Sequence, residues 1–205
     1  MKKEIILASA SERRSRILSD CGITHRVVPS GAKEERYENK HVSESVRLNA
    51  AAKAEKVAAD AAKAIIIGAD TLVVHNGDII GKPDGEGAAR EMLKKFSGDE
   101  IEVYTGLCVI DPADGKKAVG SEKSSLFMVP LTDSRREKYF RLLAPYDKAG
   151  GFSIEGAGSL LFDDIKGSYF NILGLPMMKL SELFERVGLD ILDYVNSGQA
   201  GKRPK

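Results

Sequence analysis

The 205 residues carry 31 Lys plus Arg against 30 Asp plus Glu, with 42% apolar and 30% charged residues, a composition for one globular domain or two closely joined lobes. A net charge of +1 argues against a dedicated duplex-binding surface, and three of the basic residues, Lys202, Arg203 and Lys205, sit in the last four positions. The longest stretch without Asp, Glu, Lys or Arg is the 12 residues Gly167 to Met178, short of the roughly 20 that span a bilayer, and the apolar run after Met1-Lys2-Lys3 ends at Ala8, too short for a secretory leader. A cytoplasmic protein with no membrane partner is the expectation.

In chain order, Glu4 to Ala8 reads as a first strand and Ser11 to Cys21 as a helix that Gly22 is placed to end. Ile23 to Val28 reads as a second strand, Pro29 to His41 as a polar, exposed loop, and the alanine-rich Ser43 to Ala64 as a helix. Ile65 to Val74 is an apolar, β-branched central strand, and Asn76-Gly77 turns it into a short partner at Asp78 to Ile80. Asp84 can cap a helix running to about Phe96. Glu100 to Ile110 is a strand that Pro112-Ala113-Asp114-Gly115 reverses into a partner near Ala118 to Val129. A helix begins near Thr132 and stops before Pro145, strands are expected at Phe152 to Glu155 and Ser159 to Ile165, and a last helix starts at Pro176. Residues 1–197 form the expected domain and 198–205 a flexible basic tail. The sum is a mixed α/β fold, a twisted sheet with helices on its faces. Cys21 and Cys108, 87 positions apart and without CxxC spacing, read as small core residues rather than as a disulfide or a zinc knuckle.

Chemistry gathers at a few points. Ser9-Ala10-Ser11-Glu12-Arg13-Arg14 lies where a strand meets a helix, a place that favours phosphate through unpaired backbone N–H groups and a positive dipole end. Arginine in a first turn opposes that dipole, which points to an arriving anion, although Ser11 as a plain N-cap beside solvated arginines explains the same residues. Asp70 stands in the most apolar segment of the chain, where a carboxylate costs several kcal/mol unless paired, hydrogen-bonded or metal-bound, so it requires a partner; a structural Asp capping a loop is the alternative. Gly68 and Ala69 keep the approach to that strand open. Lys82 is held between Gly81 and Pro83, Lys53 lies on the alanine-rich helix and Lys148 beside Gly150-Gly151; each alone reads as a surface lysine. Glu34 and Glu155 are candidate metal-facing carboxylates. HExxH, P-loop and GxGxxG patterns are absent, against zincins, Walker NTPases and Rossmann dehydrogenases.

Together, Leu7-Ala8-Ser9-Ala10-Ser11-Glu12-Arg13-Arg14, Lys53-Ala54, Gly68-Ala69-Asp70-Thr71, Gly81-Lys82-Pro83, Ser97-Gly98, Thr105-Gly106, Asp147-Lys148-Ala149-Gly150-Gly151 and Gly174-Leu175-Pro176 form an ordered set. From residue 7 to about 187 the set resembles the Maf family of nucleoside triphosphate pyrophosphatases, once described as septum-formation inhibitors. The resemblance implies an elongated α/β fold shared with the inosine-triphosphate pyrophosphatases, two lobes around a nucleotide cleft, and hydrolysis of a nucleoside triphosphate to the monophosphate and pyrophosphate with a divalent cation, Mg²⁺ or Mn²⁺. Carried over by position, Asp70 is the proton acceptor that activates water or a metal-linked carboxylate, and Glu34 a metal or base contact. Arg13, Thr71 and Glu155 match positions of substrate discrimination; Ser9, Arg14, Lys53, Lys82 and Lys148 match phosphate-facing ones. A triphosphate carries about four negative charges at neutral pH, and its chemistry rests on positioning and charge neutralisation, which this inventory supplies.

Four positions depart from the family pattern: Glu12 where proline is usual, Lys33 before Glu34 where a second acid is common, Ile101 at a position often held by histidine, and Glu155 in place of the glutamine of members acting on dTTP and UTP. An amide both donates and accepts, whereas a carboxylate only accepts. Glutamate there resembles the members acting on 7-methyl-GTP, while Asp147 to Gly151 resembles the dTTP/UTP group. The expected partner is a nucleoside triphosphate, without a stable nucleic-acid complex and with a homodimer as a candidate assembly. From another class, a non-enzymatic nucleotide- or nucleic-acid-binding regulator of cell division would bind ligand without releasing product.

Overall fold

The structure, a computed structural model, describes residues 2–35, 41–142 and 150–196. Among the described residues seven strands make one mixed sheet: β1 (Glu4–Leu7), β2 (Arg26–Val27), β3 (Ala64–His75), β4 (Asp78–Ile80), β5 (Glu100–Asp111), β6 (Lys116–Met128) and β7 (Phe162–Lys166). Their order is β2-β1-β3-β5-β6-β7, with β4 paired to β3. Among the described residues six helices accompany them: α1 (Glu12–Asp20), α2 (Val42–Ala58), α3 (Gly85–Phe96), α4 (Asp133–Leu142), α5 (Tyr169–Ile172) and α6 (Met177–Arg186). The α/β class read from the sequence is the one observed.

The chain divides into two compact units, the first of Met1–Thr71, Thr105–Glu122 and Leu173–Lys205, the second of Leu72–Tyr104 and Lys123–Ile172. In the first unit β1 pairs parallel with both neighbours, Ile6 opposite Arg26 and Ile66, so the chain leaves β1 towards one side and returns on the other. Such a reversal of strand order places loops at the carboxyl ends of the strands, where α/β sheets bind ligands. α2 covers one face: Ala50, Ala54 and Val57 pack against Ile6, Ala8, Ile66, Cys108 and Ile110. Its close seat depends on two glycines. A Cβ on Gly68 would lie 2.2 Å from the Ala50 carbonyl oxygen, and one on Gly106 would lie 2.1 Å from that of Val46.

In the second unit the Asn76-Gly77 turn, with φ of 52° and 87°, joins β3 to β4 with Val73 opposite Ile80, as the type I′ signature requires. α3 buries Ala89, Leu93 and Phe96, α4 buries Tyr139 and Phe140, and Arg90 ties them by pairing with Glu137 and lying 3.7 Å over the Phe140 ring.

The structure corrects several expected elements. The strand expected at Ile23 to Val28 shrinks to Arg26–Val27, because Ile23 makes an isolated bridge to Val195 and the His25 ring binds the Ile23 carbonyl oxygen locally. α2 ends at Ala58 rather than Ala64: the chain tightens through Asp60 N–H to Val57 and Ala61 N–H to Ala58, and Ala64 joins β3 opposite Glu4. Phe152 to Glu155 is no strand, since the Ser153 hydroxyl accepts from the Glu155 N–H and makes a local turn before Gly156 at φ 60°. Of Ser159 to Ile165, the first three residues close the 3₁₀ turn Gly156–Leu161 and only Phe162 onward pairs with β6. The short helix α5 and the 3₁₀ turn Ile191–Tyr194 have no periodic signal long enough to read. The segment expected as a basic tail lies outside the described residues. No helix among the described residues is long and apolar enough to cross a membrane.

Candidate active site

Alternation along β3 sends consecutive side chains to opposite faces, and at its Asp70-Thr71 step the two faces hold opposite charges. On the face covered by α2, Asp70 is 4% exposed. Its Oδ1 accepts from Lys53 Nζ at 2.7 Å and its Oδ2 from Asn49 Nδ2 at 3.0 Å. Asn49 and Lys53 stand one turn apart on α2, so both reach the same strand residue once Gly68 and Gly106 let the helix down onto the sheet. Lys53 Nζ also donates to Glu34 Oε1 at 2.7 Å and to the Ala69 carbonyl at 3.4 Å, so its three protons are directed at protein acceptors. One ammonium thus serves two carboxylates, one buried and one, Glu34, two-thirds exposed. The burial cost anticipated for Asp70 is met by an ion pair and a neutral donor.

On the other face the Arg14 guanidinium is buried and held by neutral groups: Nε donates to the Gly174 carbonyl at 2.8 Å, Nη1 to Ser9 Oγ at 2.9 Å and Nη2 to Thr71 Oγ1 at 2.9 Å. Thr71 shares a further hydrogen bond with Thr105 at 3.0 Å. Gly174 takes φ +91°, and a Cβ on it would stand 3.0 Å from Thr71 Oγ1 and 3.4 Å from Arg14 Nε, so this carbonyl reaches the guanidinium only because residue 174 is glycine. Burial lowers the Arg14 pKa, the fields of Asp70 and Glu34 oppose that, and neighbouring Arg13 adds to it. The guanidinium nonetheless stays charged at any physiological pH. A charged fork held only by neutral acceptors, at the amino end of α1 where Ser11 caps the Arg14 N–H, suits an anion. The first-turn arginine that opposed the helix dipole in the sequence is therefore drawn off the helix surface into this cradle.

Of the residues singled out in the sequence, the first unit gathers Asp70, Lys53 and Glu34 on one side of β3 and Arg14, Ser9 and Thr71 on the other. Arg13 is half-buried in the first turn of α1. Lys82 and Glu155 belong to the second unit. Lys82 is exposed, following a strand end that is tied to the glycine turn by Gly150 N–H to the Gly81 carbonyl at 3.1 Å. Glu155 Oε2 accepts from the Ser153 hydroxyl at 3.4 Å. Lys148 lies outside the described residues.

Three participants carry no motif of their own. Asn49 had a signal, an amide one turn before Lys53 in an alanine-rich helix. Thr105 lay within the quoted Thr105-Gly106 pair without a role. The Gly174 carbonyl, a main-chain atom, left no side-chain trace. Among the described residues no group of three His, Cys, Asp or Glu is placed to hold a metal. Asp70 and Glu34 alone match a hard cation such as Mg²⁺, which takes one or two carboxylates and completes its shell with phosphate oxygens and water.

A family model described as Maf-like protein matches residues 4–187. The chain is 42% identical over 193 residues to the dTTP/UTP pyrophosphatase of Dictyoglomus thermophilum, covering 94% of this chain and 100% of that one. It is 39% identical over 188 residues to the dTTP/UTP pyrophosphatase of Moorella thermoacetica (92% and 97%) and 37% identical over 192 residues to that of Methanosarcina mazei (93% and 98%). Among solved structures it is similar to the Ham1 protein of Staphylococcus aureus, with a TM-score of 0.50 and 16% identity over 89% of this chain and 98% of that one, a likeness of fold alone.

Proposed function

This chain belongs to the Maf-like protein family, and from that premise we propose that it hydrolyses dTTP or UTP in the cytoplasm to the nucleoside monophosphate and pyrophosphate. The observation that supports it most is the Asp70-Thr71 step of β3, with a carboxylate cluster on one face and a neutrally held guanidinium on the other.

A water attacks the α-phosphorus and gives its proton to Asp70; the bond from that phosphorus to the bridging oxygen breaks, and pyrophosphate leaves with the electron pair. General-base assistance of this kind contributes about 10²–10⁴ in rate. Arg14 binds a phosphate oxygen. Three of its N–H groups are fixed by Gly174, Ser9 and Thr71, which orient the fork before the anion arrives. The family resemblance assigns Ser9, Lys82 and Lys148 to phosphate-facing positions and Arg13 to substrate discrimination. When bound, a divalent cation held by Asp70 and Glu34 would neutralise phosphate charge. Lys53 is the counter-ion of that carboxylate pair, and it turns to phosphate only by releasing Glu34.

Relatives matching more than nine-tenths of the chain carry the name of a dTTP/UTP pyrophosphatase, which favours a hydrolase over a regulator that only binds. One observation supports a second substrate class. Glu155 offers a carboxylate, which only accepts, where an amide would also donate, and it suits the N–H groups of a guanine such as 7-methyl-GTP. Pyrophosphate release from dTTP, UTP, CTP, 7-methyl-GTP and ITP with Mg²⁺ or Mn²⁺, repeated with Glu155→Gln, tests both readings. The expected result is turnover of dTTP and UTP first. Release of orthophosphate alone, or of nothing, contradicts the reaction, and an unchanged base preference in Glu155→Gln removes that residue from specificity.

A further inference from the structure

We propose that Asn49 is a positioning residue of this site, a single carboxamide that fixes Asp70 and the Glu34-Glu35 loop relative to each other; the proposal rests on the pyrophosphatase reading above. Asn49 is 3% exposed in the middle of an alanine-rich helix whose buried face holds Val46, Ala50, Ala54 and Val57 beside two other polar residues, Ser45 and Lys53. A buried amide in such a place costs stability unless its donors and acceptor are satisfied. All of them are, and every partner belongs to the site: Nδ2 donates to Asp70 Oδ2 at 3.0 Å and to the Glu35 carbonyl at 3.1 Å, and Oδ1 accepts from the Glu35 N–H at 3.1 Å.

The two bonds to Glu35 imitate a pairing between main chains and pin the otherwise polar loop at one residue, through its N–H and its carbonyl. Glu34, one residue earlier, is thereby delivered to the Lys53 ammonium that also holds Asp70. Lys53 alone would draw the two carboxylates together by charge, which sets a separation but no orientation. The amide adds directed bonds, one to the carboxylate that takes the proton and two to the segment that carries the second carboxylate. Partners of this kind around reacting carboxylates are worth about 10–100-fold in activity or metal affinity.

The test compares wild type with Asn49→Ala, which suits the helix, and Asn49→Asp, which keeps the shape but replaces the two N–H donors by an acceptor. For both, kcat for dTTP or UTP is expected to fall about 10–100-fold, with KM nearly unchanged because the Arg14 cradle on the other face of β3 is untouched. The Mn²⁺ concentration giving half-maximal turnover should rise about tenfold. Independently of turnover, hydrogen exchange of the Glu35 amide should accelerate roughly tenfold in Asn49→Ala, while amides of β1 and of the rest of α2 keep wild-type rates. An unchanged Glu35 exchange rate, a kcat equal to wild type, or exchange accelerated across all of α2 overturns the positioning role. Wild type that releases no pyrophosphate sinks the pyrophosphatase reading and this proposal together; active wild type with equally active variants sinks the proposal alone.

Discussion

The two faces of β3 at residues 70 and 71 solve the burial of charge in opposite ways. Asp70 is answered by another charge: Lys53 stands between it and Glu34, and the cluster keeps one negative charge in excess. Arg14 has only dipoles as hydrogen-bond partners, two hydroxyls and a carbonyl, while Asp70 and Glu34 act on it through their fields alone, and it stays charged. An ion pair in the interior is stable because each charge quenches the other, whereas a neutral cradle leaves the charge open to a ligand. In the proposed reaction one strand offers, a residue apart, a place for a proton and a cation and a place for phosphate.

The comparison breaks most sharply at Asp70. Asp70→Asn should lower kcat by about 10²–10⁴ with the fold retained, since Lys53 keeps Glu34 and the Ala69 carbonyl; steady-state pyrophosphate release and a thermal melt check the two halves. Next come the two cations, which should fail differently. Lys53→Met leaves a buried carboxylate without its counter-charge and should cost about 3–5 kcal/mol of stability in urea titrations. Arg14→Met leaves only neutral acceptors, of which the hydroxyls can turn, so it should cost about 1–2 kcal/mol while weakening nucleotide binding far more than Lys53→Met does. Equal stability losses would erase the distinction between quenched and open charge. A smaller effect falls on the seat of the α2 face: Gly68→Ala puts a Cβ against the Ala50 carbonyl and should cost about 1–3 kcal/mol by forcing the helix outward, with a parallel drop in turnover as Asn49 and Lys53 are carried off Asp70. Smallest is the effect at Cys108 beneath the same helix. Burial pushes its thiol up to about 12, so at pH 8 it is protonated and should react with disulfide reagents only on unfolding, while half-exposed Cys21 reacts earlier.

What the sequence discloses follows the range of the interactions. The Asn76-Gly77 hairpin and the β-branched run of β3 are local and were legible as they stand. Asp70 was legible as a buried carboxylate needing a partner, because apolar neighbours make that demand within ten residues. The partner was not, because Lys53 meets Asp70 only through the approach of α2 to the sheet, which Gly68 and Gly106 permit across distant segments. Gly68 leaves room above the strand, and α2 takes that room. Arg14 stands out in the sequence by its opposition to the helix dipole, but its cradle draws on Gly174, 160 positions away and acting through a carbonyl that every residue type possesses. Phe152 to Glu155 misled because alternation suggests a strand, whereas the Ser153 hydroxyl and a glycine at φ 60° supply a turn in its place.

The central claim is that water activated at Asp70 attacks the α-phosphorus of a nucleoside triphosphate. Hydrolysis of dTTP or UTP in ¹⁸O-labelled water tests it directly. The label is predicted in the nucleoside monophosphate, with unlabelled pyrophosphate and with both products lost in Asp70→Asn. Label in the pyrophosphate, or undiminished turnover by Asp70→Asn, would contradict it.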